Sequence, residues 1–176
     1  MSSVETLAAT LPDPVKDLRL NLQAVLREST LSVRQRWSVA LASAYFLRLP
    51  QLVDAIKADP AGELKEADVE DAQGAAALMG MTSIYYRFRH LIGKPSYSQM
   101  RPSLRMNKMQ SPSTSRVQYE FCAMACAALA GCEACTRSHE ASLLKEGATE
   151  EQIHDAVRIG AIVSGFGIAL GAVPRA

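Results

Sequence analysis

Apolar positions along this chain recur at three- and four-residue intervals, the period of a helix that buries one face. Val15, Leu18, Leu22, Val25 and Leu26 make the first such stripe, and Ala156, Ile159, Val163, Phe166 and Leu170 make the last. Start signals stand ahead of several stripes. Ser2 with Glu5, Ser32 with Gln35 and Thr149 with Gln152 each fit a capping box, in which two side chains satisfy otherwise unpaired N–H groups. Asp13 before Pro14 is another start, because proline is tolerated at the first helical position. These signals predict a short helix to about Leu11, a second from Asp13 through Leu26, a third from Ser32 to near Pro50, and a fourth over about 51–58. A long Ala-rich helix is expected over about 67–91. Gly74 and Gly80 within it each weaken a helix by up to ~1 kcal/mol, which predicts a tight helix or subunit contact in return.

The periodicity fails over 93–114, GKPSYSQMRPSLRMNKMQSPST, where proline and serine cluster. This segment is expected to be an ordered crossover between an N-terminal lobe (about 1–92) and a C-terminal lobe (about 115–176). The second lobe begins with a helix from near Ser115 to Ala130, interrupted at Gly131. A following helix carries two cysteines and ends at Lys145 before Gly147, and a last helix opens at Thr149. No alternating run long enough for a sheet is present, so the expected class is all-α, with an N-terminal and a C-terminal lobe sharing a core.

Composition narrows the functional classes. Nineteen Lys and Arg against eighteen Asp and Glu give a net charge of +1, which argues against a nucleic-acid or membrane-surface partner. Arg87, Arg89 and His90 sit before Gly93, where cations complement the carbonyl end of a helix. No run of eighteen apolar residues predicts a membrane span, and the opening MSSVETLAATLPDP lacks a basic n-region. The expected setting is therefore cytoplasmic. There, a close pair among the four cysteines points to redox or metal chemistry rather than structural cross-linking.

The informative segment is GCEACTRSHE, residues 131–140. On a helix Cys132 and Cys135 share a face, and Cys135 neighbours His139 one turn further along. A position in the first helical turn favours an anion, and thiolate is the reactive form of cysteine. A mixed zinc site of Cys132, Cys135, His139 and one upstream cysteine is the competing reading. Cys122 and Cys126, within FCAMACAALA, read as buried core thiols. His154 reads as a surface residue. Glu120, at the edge of an apolar run, reads equally as an exposed first-turn glutamate or as a functional group.

Glu120, eleven intervening residues and then Cys132-x-x-Cys135-x-x-x-His139 resemble the alkyl hydroperoxidase D family, within the carboxymuconolactone decarboxylase-like group. VKDLRLNL near residue 15, MGM at 79–81, YYRFR, RPSLRMN and AIVSG at 161–165 extend the likeness over nearly the whole chain. The resemblance implies an all-α protomer of two similar helical lobes, assembled as a homotrimer. It implies that Cys135 attacks an alkyl hydroperoxide, that Cys132 resolves the product to a disulfide, and that His139 and Glu120 relay the proton. It implies no bound cofactor, with lipoamide-type dihydrolipoyl groups of a dihydrolipoamide acyltransferase as electron donor. A peroxiredoxin, alkyl hydroperoxide reductase C, is the implied partner. One departure stands out: Ala134 occupies the place of a second histidine between the cysteines. A decarboxylase acting on a cyclic lactone through His and Glu, and a zinc-binding helical module, remain the rival readings.

Overall fold

The computed structural model describes residues 2–172, and among these it contains helices and no strand. The N-terminal half comprises α1 (Ser3–Ala8), α2 (Lys16–Arg27), α3 (Val33–Phe46), α4 (Pro50–Ala58) and α5 (Glu66–Ile92). Capping boxes at Ser2 and Ser32 close the starts of α1 and α3 as expected. Two boundaries differ from expectation. Asp13–Val15 forms a 3-10 turn that leads into α2. Helix α3 ends at Phe46, because Arg48 adopts a left-handed φ of 58° and Pro50 opens α4 instead of closing α3.

The crossover holds two short helices, α6 (Pro95–Gln99) and α7 (Asn107–Gln110), and it is fastened to α5. Arg89 donates to the carbonyl of Ser98, and the Phe88 and Tyr97 rings meet edge to face at 5.3 Å. At the other end the buried Asp71 carboxylate accepts the N–H groups of Ser113 (2.8 Å) and Thr114 (2.7 Å) and pairs with Lys108 at 2.8 Å. The close approach expected at Gly74 comes from this same Lys108, whose Cγ lies 2.8 Å from where a β-carbon would stand. Gly80 has nothing within 4 Å, so no helix of this chain packs tightly on it.

The C-terminal half comprises α8 (Arg116–Leu129), α9 (Glu133–Lys145) and α10 (Glu150–Gly171). It does not stand apart from the first half. Helix α8 packs against α3, α5, α9 and α10, while α10 also lies on α2 and α3. Both α3 and α8 are therefore central, and each is buried nearly all round, with Val39–Ala42 on one and Phe121–Ala127 on the other. Small side chains make this possible: the α-carbon of Gly160 in α10 faces Ala125 of α8, where an added β-carbon would sit 3.5 Å from the alanine methyl. Helix α10 has the length and composition to cross a membrane, which the sequence reading did not anticipate. Here it is a core helix. Ile153, Ile159, Val163 and Phe166 are buried in the bundle, and Asp155 accepts the backbone N–H of Thr30 at 2.7 Å.

Candidate active site

The site is built across the α8–α9 turn. Ser115 caps α8 by accepting the N–H of Gln118, and Glu120 follows on the second turn, facing inward. The helix runs to Leu129 and the chain reverses through Gly131, whose φ of 62° suits a residue without a β-carbon. Arg87 of α5 steadies the turn by donating to the carbonyl of Ala130 at 2.7 Å. Cys132 is then the N-cap of α9, and its Sγ accepts the N–H of Cys135 at 3.3 Å, where a serine or aspartate oxygen commonly sits.

Cys132 and Cys135 are joined as a disulfide, with Cα atoms 5.3 Å apart. Sequence had placed both cysteines inside the helix; the first is its cap and the second lies in its first turn. Cys132 is fully buried, whereas Cys135 retains 7% exposure. When the bond is reduced, the free N–H groups and dipole at this helix start favour a thiolate.

His139 lies one turn beyond Cys135, is 6% exposed, and faces back toward α8. Its Nδ1 meets Glu120 Oε2 at 2.7 Å. Glu120 is only 2% exposed, so it is a buried partner of the histidine and not a solvated first-turn residue. The Glu120 Oε1 atom faces Arg116, four residues earlier on α8, at 3.5 Å. Arg116 was not among the expected site residues; its spacing to Glu120 was the signal that could have found it. Of the four expected residues, Glu120 and His139 are directly hydrogen-bonded, Cys132 and Cys135 are joined as a disulfide, and His139 lies one turn beyond Cys135 on α9.

Other candidates fall outside the site. Cys122 and Cys126 are fully buried and unpaired, the Cys126 thiol donates to the carbonyl of Ala42, and burial pushes both thiols well above the ordinary cysteine range. They are core residues, as expected. The His154 side chain is 76% exposed. His90 approaches Glu133 at 3.3 Å from the end of α5, with both side chains more than half exposed. Among the described residues no group of three or more His, Cys, Asp or Glu side chains is arranged to hold a metal.

A protein named alkyl hydroperoxide reductase AhpD from Anaeromyxobacter dehalogenans (strain 2CP-C) is 47% identical over 97% of this chain and 91% of its own length. One of the same name from Anaeromyxobacter sp. (strain Fw109-5) is 47% identical over 98% and 93%. The chain belongs to the AhpD family. A more distant AhpD, from Hyphomonas neptunium (strain ATCC 15444), is 41% identical over 92% of the chain and 90% of its own length. The profile of the Carboxymuconolactone decarboxylase family matches residues 95–176, a stretch that includes most of the crossover and Glu120, Cys132, Cys135 and His139.

Proposed function

We propose that the chain is an antioxidant thiol peroxidase of the alkyl hydroperoxide reductase type, working through the Cys132–Cys135 pair. The observation that carries this reading is the disulfide at the start of α9 with the Glu120–His139 pair one turn away. In the reduced protein His139 takes a proton from the thiol pair as a positioned general base. The Cys135 thiolate, on the less buried of the two residues, attacks one peroxide oxygen. The O–O bond breaks, alkoxide leaves as the alcohol after taking up a proton, and Cys135 becomes a sulfenic acid. Cys132 then attacks that sulfur, the S–S bond forms and water leaves. The sum is one hydroperoxide and two thiols converted to one alcohol, one water and one disulfide.

Re-reduction needs a dithiol, which exchanges with the disulfide and is itself oxidised to a cyclic disulfide. Dihydrolipoyl groups carried by a dihydrolipoamide acyltransferase fill that role in this proposal, and a peroxiredoxin of the alkyl hydroperoxide reductase C type is a second outlet for the electrons. A cytoplasmic homotrimer completes the reading. The exposed Ile84, Phe88, Leu91 and Ile92 on the last turns of α5 support assembly, since they form an apolar stripe left uncovered in a single protomer.

The deciding experiment is steady-state turnover of an alkyl hydroperoxide with dihydrolipoamide as donor. Cys135→Ser should lose turnover; wild-type rates in that variant would refute the assignment. The match to the decarboxylase family profile keeps lactone decarboxylation as the second reading. Blocking the thiols by alkylation separates the two, because a His/Glu decarboxylase would survive it.

A further inference from the structure

Glu120 is an unusual carboxylate. It is nearly sealed from solvent, and among the described residues only His139 shares a hydrogen bond with it, between Nδ1 and Oε2. Its other oxygen faces the Arg116 guanidinium at 3.5 Å. Arg116 is half exposed, and on its outer side it approaches Glu146 Oε1 at 3.9 Å. A hollow of about 330 Å³, lined by Arg116, Ser142, Lys145 and Glu146, gives water access to this outer side. An Arg–Glu pair four residues apart on a helix surface contributes little, because water screens both charges. This pair is different in kind, because one partner is desolvated, and low local polarity strengthens the interaction.

The Glu120–His139 contact has two forms, which differ by one proton taken up from solvent. An ionised Glu120 accepts Nδ1–H, which leaves Nε2 free to take a proton from a thiol. A protonated Glu120 instead donates to Nδ1, which puts the imidazole proton on Nε2 and removes the base. In general desolvation works against an ionised carboxylate, and a fixed cation beside one works for it.

We propose that Arg116 is a positioning residue: its guanidinium holds Glu120 as the acceptor of the His139 Nδ1–H, and thereby fixes His139 in the tautomer whose Nε2 carries no proton. This rests on the thiol-peroxidase reading for its consequence, but not for its geometry. Arginine suits the task because it stays charged at any working pH and its stem spans one helical turn from a solvent-facing position.

The test uses reduced full-length protein labelled with ¹⁵N-histidine. Three histidines are present, and loss of a signal in His139→Gln assigns the relevant one. In wild type the His139 nitrogens should show a protonated Nδ1 and an unprotonated Nε2. Arg116→Met should move the pair toward the opposite tautomer and slow iodoacetamide alkylation of the cysteine pair by about tenfold, the effect of roughly one unit in a coupled ionisation. Arg116→Lys, which restores the cation, should return both readouts to within about twofold of wild type. Arg116→Gln serves if the Met variant does not fold. A wild-type tautomer and alkylation rate in the charge-removing variant would overturn the proposal. Peroxide turnover is measured on the same samples. Absent wild-type turnover with the expected tautomer shift refutes the peroxidase reading and leaves the Arg116 assignment standing; the converse pattern refutes Arg116 alone.

Discussion

His139 does two jobs that a substitution would expose separately. As the base of the proposed reaction, its loss in His139→Ala should lower peroxide turnover by about 10²–10⁴-fold, the usual contribution of a positioned proton acceptor. As the hydrogen-bond donor to a buried carboxylate, its loss also leaves Glu120 partly unsatisfied, which costs about 1–3 kcal/mol. Urea unfolding beside steady-state kinetics resolves the two, and a variant with wild-type turnover would remove His139 from the mechanism. Cys132 illustrates the same economy at its own position: one sulfur serves as helix cap and as disulfide partner. The alanine at 134 leaves these contacts untouched, since the Glu120–His139 bond does not pass through it.

At the level of elements, the crossover depends on one buried side chain. Asp71 receives two backbone N–H groups, the Thr114 hydroxyl and Lys108, and this clamp fixes the chain two residues before α8 begins. Burial alone would raise the Asp71 carboxyl, but the Lys108 and Thr114 side chains and the Ser113 and Thr114 N–H groups outweigh it and hold it below its ordinary value of 3.8. A folded value below the unfolded one means the clamp stabilises fully above that ordinary value and fades as pH falls through the lower folded value. Asp71→Asn should therefore cost about 1–3 kcal/mol at neutral pH, with the gap from wild type closing in acid. Urea midpoints measured from pH 7 to pH 3 check this; a gap that widens in acid would contradict it. None of this clamp was visible in the sequence, because Asp71 and Thr114 are far apart in the chain and helical periodicity carries no long-range pairing. Local signals fared better. The boxes at Ser2, Ser32 and Thr149 and the break at Gly131 were legible because caps and left-handed turns are decided within a few residues. The Cys–Cys–His spacing was legible for the same reason. The inward direction of Glu120 was not, since nothing in YEFC tells which face of α8 meets α9. Pro50 misled because proline both follows helices and starts them.

The whole molecule places the sulfurs of the proposed reaction and the enclosed ones on neighbouring helices. Beyond that, the stripe Ile84, Phe88, Leu91 and Ile92 is too apolar to remain in water without consequence. If it joins protomers in the proposed trimer, Leu91→Glu should dissociate the assembly with the fold retained. Sedimentation velocity and circular dichroism together test that; an unchanged assembly would place the interface elsewhere. The core around Cys122 and Cys126 has a further consequence for anyone following the chemistry. Both are fully enclosed in α8 between α3 and α10, with protons held tightly. A mild thiol reagent applied to the native protein should thus be blind to them. Titration with such a reagent should find no sulfhydryls beyond those of Cys132 and Cys135 in the native reduced protein, none after one equivalent of oxidant, and the two of Cys122 and Cys126 once the oxidised chain is unfolded. The protein carries its own internal standard, by which the redox history of each sample can be counted without a label.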